Sequence, residues 1–225
     1  MFNLFGSPIK MFRISPDDFD KTKLVGDILD NYKISKTRNK WDTKSNIHHE
    51  NLDQNNNSFK KLDYSKLLPI YDKFVYQYLN QFRWKNNFSF IYEISNYTCM
   101  GKGQFMKKHT HESDFTAIHY IKFNEKNEFN KFYNLNPSIN HLDIFSPDLL
   151  KNLDDSDILN SWAFKSWFLD VKEDNICFTP SALAHGVPQQ QTDDLRITIV
   201  LNIDITPLKK KENEDIPFEF IDNID

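Results

Sequence analysis

Asn87-Phe88-Ser89-Phe90-Ile91-Tyr92-Glu93-Ile94 is where the chain changes its period. Phe88, Phe90, Tyr92 and Ile94 recur at every second position, the repeat of a strand with one buried face. Upstream the repeat is helical. Ser15-Pro16-Asp17-Asp18 reads as a helix start, with a serine cap, proline at the first position and acids in the first turn, and Phe19, Leu24, Val25, Ile28 and Leu29 follow at helical spacing. A second helix is expected from about Ser65 to Phe82, with Leu67, Ile70, Tyr71, Phe74, Val75 and Tyr78 on one broad face. Residues 8–14 alternate weakly, as a strand would, and the polar run 37–62 reads as a long loop. Downstream of Ile94, strand-like runs fall at 104–109, 115–123, 162–171, 175–179 and 195–204, with a polar insertion over 135–160. Helices feeding many short, mostly antiparallel strands predict a mainly β protein, a barrel or a double-sheet jelly roll. The organisation expected is an N-terminal helical support region over 1–86, a β core over 87–206 and a charged tail over 207–225.

The 225 residues suit one domain with an extension. With 39% hydrophobic and 27% charged residues the chain is too apolar for wholesale disorder. A net charge of −4 disfavours a broadly basic nucleic-acid binder. No apolar run approaches a membrane span, and the first residues show no basic region followed by a long apolar one. Cys99 and Cys177 make no disulfide framework, so a reducing, cytoplasmic setting is expected. Lysine greatly outnumbers arginine, which occurs only at positions 13, 38, 83 and 196; each arginine present is therefore informative.

His109-Thr110-His111 closes a strand-like segment. Residues i and i+2 of a strand share a face, so the pair can present two imidazoles to one ion. His185 follows another apolar strand, in Phe178-Thr179-Pro180-Ser181-Ala182-Leu183-Ala184-His185. Three histidines from two strands, with coordination positions left open, suit a divalent first-row metal of the Fe(II) type; a closed structural zinc site would want a fourth side chain. His48-His49, adjacent in a polar run, reads as surface. Arg196 opens Arg196-Ile197-Thr198-Ile199-Val200-Leu201-Asn202, where alternation puts Arg196, Thr198, Val200 and Asn202 on one face. An arginine facing the inside of a barrel needs an anionic partner, and a carboxylate matches its planar fork.

These motifs together resemble the 2-oxoglutarate- and Fe(II)-dependent oxygenases, especially the prolyl-hydroxylase-like group and its phage and marine-bacterial relatives. The stretch from Asn96-Tyr97 through Gly101-Lys102-Gly103 to His109-Thr110-His111 is similar to the family's glycine-containing run into His-x-Asp. Thr116-Ala117-Ile118-His119-Tyr120-Ile121 is similar to its Thr-x-x-x-Tyr-Leu strand. Phe178-Thr179-Pro180-Ser181, His185, Val187 and Arg196-x-Thr198 are similar to its closing segment, in the same order. The resemblance implies a double-stranded β-helix over residues 87–205. It implies that His109 and His185 hold Fe(II), with His111 standing where most relatives have Asp or Glu and Glu112 as the alternative oxygen ligand. It implies that Arg196 pairs with the distal carboxylate of 2-oxoglutarate, helped by Thr198 and Tyr120, and that Cys99 or Tyr97 lies near the co-substrate. The activity implied is O2-dependent hydroxylation of a peptidyl or small-molecule substrate with release of succinate and CO2. The alternatives are a metal cupin independent of 2-oxoglutarate and a non-enzymatic jelly-roll module, such as a phage or virion structural component. A nucleic-acid demethylase is disfavoured because no further arginine follows Arg196.

Overall fold

The computed structural model describes residues 2–4, 6–34, 48–51, 59–84, 87–135 and 147–207. The chain opens with a hairpin, β1 (Phe2–Leu4) and β2 (Ser7–Arg13), turning at Gly6, whose φ of 82° favours glycine. The Ser15 hydroxyl accepts from the Asp17 amide and caps only a 3-10 turn, Pro16–Asp18. Helix α1 (Lys21–Ile34) starts after it and buries Leu24 and Ile28. Helix α2 (Leu68–Leu79) buries Tyr71, Val75, Tyr78 and Leu79, close to the expected span.

The two-residue period that begins at Phe88 becomes the 13-residue β4 (Phe88–Met100). It is followed by β5 (Met106–His109), β6 (Phe115–Lys122) and β7 (Lys131–Tyr133). After a short helix α3 (Pro147–Asn152) come β8 (Ser166–Phe168), β9 (Asn175–Pro180), β10 (His185–Val187) and β11 (Arg196–Pro207). Strands β4, β6, β9 and β11 belong to one sheet and β5, β7, β8 and β10 to the other. Every pairing is antiparallel. Strands from one stretch of chain shared between two facing sheets make the double-stranded β-helix, as expected.

Three differences from the sequence reading have clear causes. Part of the run expected as loop, His48–Asn51, is a strand, β3, paired with β4 at the sheet edge; backbone bonds hold an edge strand, so its polar side chains hid it. Of the rest of that loop, 37–47 and 52–58 lie outside the described residues, as do the tail beyond 207 and the insertion's 136–146. The strand expected over 162–171 is split into a 3-10 helix, Ile158–Ala163, and the three-residue β8, because the Asp157 carboxylate caps the Leu159 amide and starts a turn. The N-terminal region is not only helical support: β1 and β2 extend the larger sheet, whose order is β1-β2-β9-β6-β11-β4-β3. Among the described residues no helix is long and apolar enough to cross a membrane.

The larger sheet separates two apolar layers. Its outer face buries Ile197, Ile199, Leu201 and Ile203 of β11 against residues of α1 and α2, among them Leu24, Ile28, Tyr71 and Val75. Each such isoleucine contributes about 1.5–3 kcal/mol by leaving water. Its inner face joins Ile118, Tyr120 and Cys177 to Phe132, Trp167 and Leu183 in a second cluster between the sheets. The helices thereby brace the outside of the sheet that carries Arg196 and leave the space between the sheets for the site.

Candidate active site

His109 and His185 are cross-strand partners, one ending β5 and the other beginning β10. Antiparallel register therefore brings two residues 76 positions apart face to face, with ring centroids 4.4 Å apart. His111 lies just past β5, held by its amide donating to the Ser181 carbonyl at 3.1 Å. Its ring centroid is 5.2 Å from that of His109 and 5.3 Å from that of His185. One nitrogen from each ring can be chosen so that all three lie within 4.8 Å of one another. Small side-chain rotations bring such a set onto one ion, with metal–nitrogen bonds of ~2 Å.

The local chemistry fits that role. The Nδ1 of His109 faces the Lys107 carbonyl at 2.8 Å and that of His185 faces the Leu183 carbonyl at 3.2 Å. A carbonyl only accepts, so each Nδ1 carries the proton and each Nε2 keeps its lone pair for a metal. Burial lowers the pKa of His109. Burial, with His109 and His111 nearby, holds His185 well below the ordinary imidazole range. Both stay neutral at pH 7, the state that ligates. Glu112, the alternative ligand, is exposed and outside this cluster.

The same cavity is lined by Arg196, Thr198, Asn96, Thr98, Asn130, Ile118 and Val187. Arg196 is 1% exposed, and among the described residues it makes no ion pair. Its Nη2 donates to Asn130 Oδ1, its Nη1 lies 4.0 Å from the Met100 sulfur, and its Nε has no partner. The guanidinium carbon sits 5.2 Å above the Tyr120 ring and 5.9 Å from that of Phe123. A buried guanidinium with no counter-ion is costly to hold, and burial lowers its pKa accordingly. A ligand carboxylate in the cavity removes that penalty. Thr198 Oγ1 shares a 2.7 Å hydrogen bond with Thr98 Oγ1. Tyr120 lies beneath Arg196 and donates to Asn130 at 2.7 Å.

Tyr97 and Cys99 are in the outer cluster against the helices, so neither faces the cavity as the resemblance implied. Burial pushes the Cys99 thiol up to about 12, and it stays protonated at neutral pH. The cavity residues of β4 are Asn96 and Thr98 instead. The cause is a bulge: Val200 pairs with Asn96 but Leu201 with Ile94, leaving Ser95 extra and reversing the alternation. Asn96, Thr98 and Asn130 were not legible from the sequence. The first two carried only their position opposite Val200 and Thr198 as a signal, and Asn130 lies outside any strand pattern.

A double-stranded β-helix enclosing three clustered histidines and a buried arginine fits a non-haem metal centre beside an anion pocket. Residues 96–202 match the family described as "Putative 2OG-Fe(II) oxygenase". The chain is similar to that family over just under half of its length, and the histidine donor set and the uncompensated arginine fit Fe(II) and 2-oxoglutarate. Solved structures share the fold at low identity. A Pseudomonas putida prolyl-4-hydroxylase is 8% identical with a TM-score of 0.53, over 89% of this chain and 95% of its own. The carbocyclase SnoK from nogalamycin biosynthesis, described as α-ketoglutarate-dependent, is 11% identical with a TM-score of 0.55, over 89% and 82%. A Trichoplax adhaerens prolyl hydroxylase, solved with a hypoxia-inducible-factor peptide fragment, is 10% identical with a TM-score of 0.50, over 87% and 83%. No curated protein matches in sequence.

Proposed function

We propose that the chain is an Fe(II)- and 2-oxoglutarate-dependent oxygenase that hydroxylates a peptidyl or small-molecule substrate, with 2-oxoglutarate converted to succinate and CO2. The observation that carries the reading is Arg196, buried without a counter-ion in the cavity that the three histidines share. A metal cupin has no use for such a cation, and a structural jelly roll has no use for either feature. His109, His111 and His185 would hold Fe(II), and the backbone carbonyls of Lys107 and Leu183 fix two of the ring orientations. Arg196 would take the distal carboxylate, with Thr198 at its side and Tyr120 beneath it. Ile118, Val187 and Val200 keep that end of the cavity dry, which strengthens the charge pairing. Bound there, Fe(II) and 2-oxoglutarate supply the oxidising chemistry that no side chain can. The likeness to prolyl hydroxylases, one of them solved with a peptide, supports a peptidyl substrate.

The test is succinate formation by Fe(II)-loaded protein against a panel of peptides, free amino acids and nucleosides. Turnover that depends on 2-oxoglutarate and rises with peptides is expected. Activity undiminished without 2-oxoglutarate would return the chain to the cupin reading.

A further inference from the structure

Asn130 is 2% exposed, lines the cavity and lies in the turn that leads into β7. One atom of its amide meets both Arg196 Nη2 and the Tyr120 hydroxyl. A guanidinium has only donors, so that atom must be the oxygen, and the orientation of the amide follows from chemistry alone. The oxygen is then fully engaged. The NH2 group has no hydrogen-bond partner among the described residues, in a residue that borders the cavity. The turn itself is held rigid. Asn127 Nδ2 donates to the Asp194 carbonyl at 2.7 Å, two residues before Arg196, and the Leu169 amide bonds the Asn130 carbonyl at 3.4 Å.

We propose that Asn130 is a co-substrate-binding residue whose oxygen sets the plane of the Arg196 guanidinium and whose NH2 group donates to the distal carboxylate that Arg196 pairs with. This rests on the 2-oxoglutarate reading given above. Asn130 does two jobs that one neutral amide can combine: an acceptor for a cation and a donor for an anion. A carboxylate at this position would do only the first, and it would repel the ligand.

Asn130→Asp separates the roles, because it is isosteric, keeps an acceptor for Arg196 and Tyr120, and turns the donor end into a second anion. The measurement is anaerobic titration of Fe(II)-loaded protein, following the metal-to-ligand charge-transfer band. One titrant is 2-oxoglutarate and the other is 2-oxobutyrate, which lacks the distal carboxylate. For Asn130→Asp, 2-oxoglutarate should bind at least about tenfold more weakly, since like charges in a dry site repel strongly. Binding of 2-oxobutyrate should be unchanged, and the melting temperature should not fall, because the new carboxylate gives Arg196 a counter-ion. Asn130→Ala should weaken 2-oxoglutarate less, by loss of one donor without added repulsion. Unchanged 2-oxoglutarate affinity in Asn130→Asp, or equal loss for both keto acids, overturns the proposal. A wild-type protein that gives no band with 2-oxoglutarate instead removes the reading on which the proposal stands.

Discussion

His111 departs from the family pattern, and its place in the cluster makes it the residue whose removal is most informative. His111→Ala should weaken Fe(II) binding by more than the roughly 10–100-fold that changes outside the ligand shell cost. Competition with a chelator measures it, and retained affinity would leave a two-histidine site. Arg196 tests the other half of the centre. Arg196→Ala leaves the co-substrate carboxylate unpaired in a partly dry pocket, a loss of about 2–5 kcal/mol, or at least roughly 30-fold in 2-oxoglutarate affinity. Iron affinity should hold, because the side chain is not a ligand. Arg196→Lys should recover part of the binding, since the charge stays while the fork is lost. The charge-transfer titration reads both Arg196 variants, and chelator competition reads their iron affinity.

At the scale of elements, the metal centre depends on how closely β10 approaches β5. A Cβ at Gly186 would lie 2.8 Å from the Met106 carbonyl oxygen and 3.1 Å from backbone atoms of Lys107 and Lys108. All three are main chain, so the strand itself would have to move, and His109 with it. Gly186→Ala should therefore cost about 1–3 kcal/mol in stability through overpacking. It should also lower iron affinity by about tenfold or more, as displaced supporting groups do. Thermal melting and metal titration check the two effects. A stability loss with iron affinity intact would mean that β5 and β10 can separate without disturbing the histidines.

At the scale of the whole molecule, acid sensitivity should trace to the layer between helices and sheet. His119 is fully buried there, its Nδ1 2.8 Å from the Tyr71 hydroxyl and its Nε2 without a partner. Burial, with a smaller contribution from Lys21, lowers its pKa from 6.5 to about 3. The folded value is depressed, so the stability this histidine contributes is present above pH 6.5. It is lost as pH falls from there toward about 3, because only the unfolded chain takes up the proton. At about 1.4 kcal/mol per unit, the loss by pH 4.5 is roughly 2–3 kcal/mol. Urea midpoints at pH 7 and pH 4.5 should differ less in His119→Gln than in wild type. An equal difference would place the sensitivity in other groups.

The change of period at Phe88, the His-x-His pair, the strand-end His185 and Arg196 were enough to determine the fold class and to single out the three histidines and the arginine that the structure gathers around one cavity. Each is a local pattern: the side-chain period of a strand, or a residue type too costly to bury without a ligand. Other features depend on non-local pairing. The edge strand His48–Asn51 is held by backbone bonds to β4 that its polar side chains do not announce. Asn130 meets Arg196 only because the turn before β7 folds against the start of β11. Which β4 residues face the cavity was decided by the extra residue at Ser95. One inserted residue exchanges the two faces of every position beyond it. No count along the chain reveals it, because the bulge exists only in the register between β4 and β11.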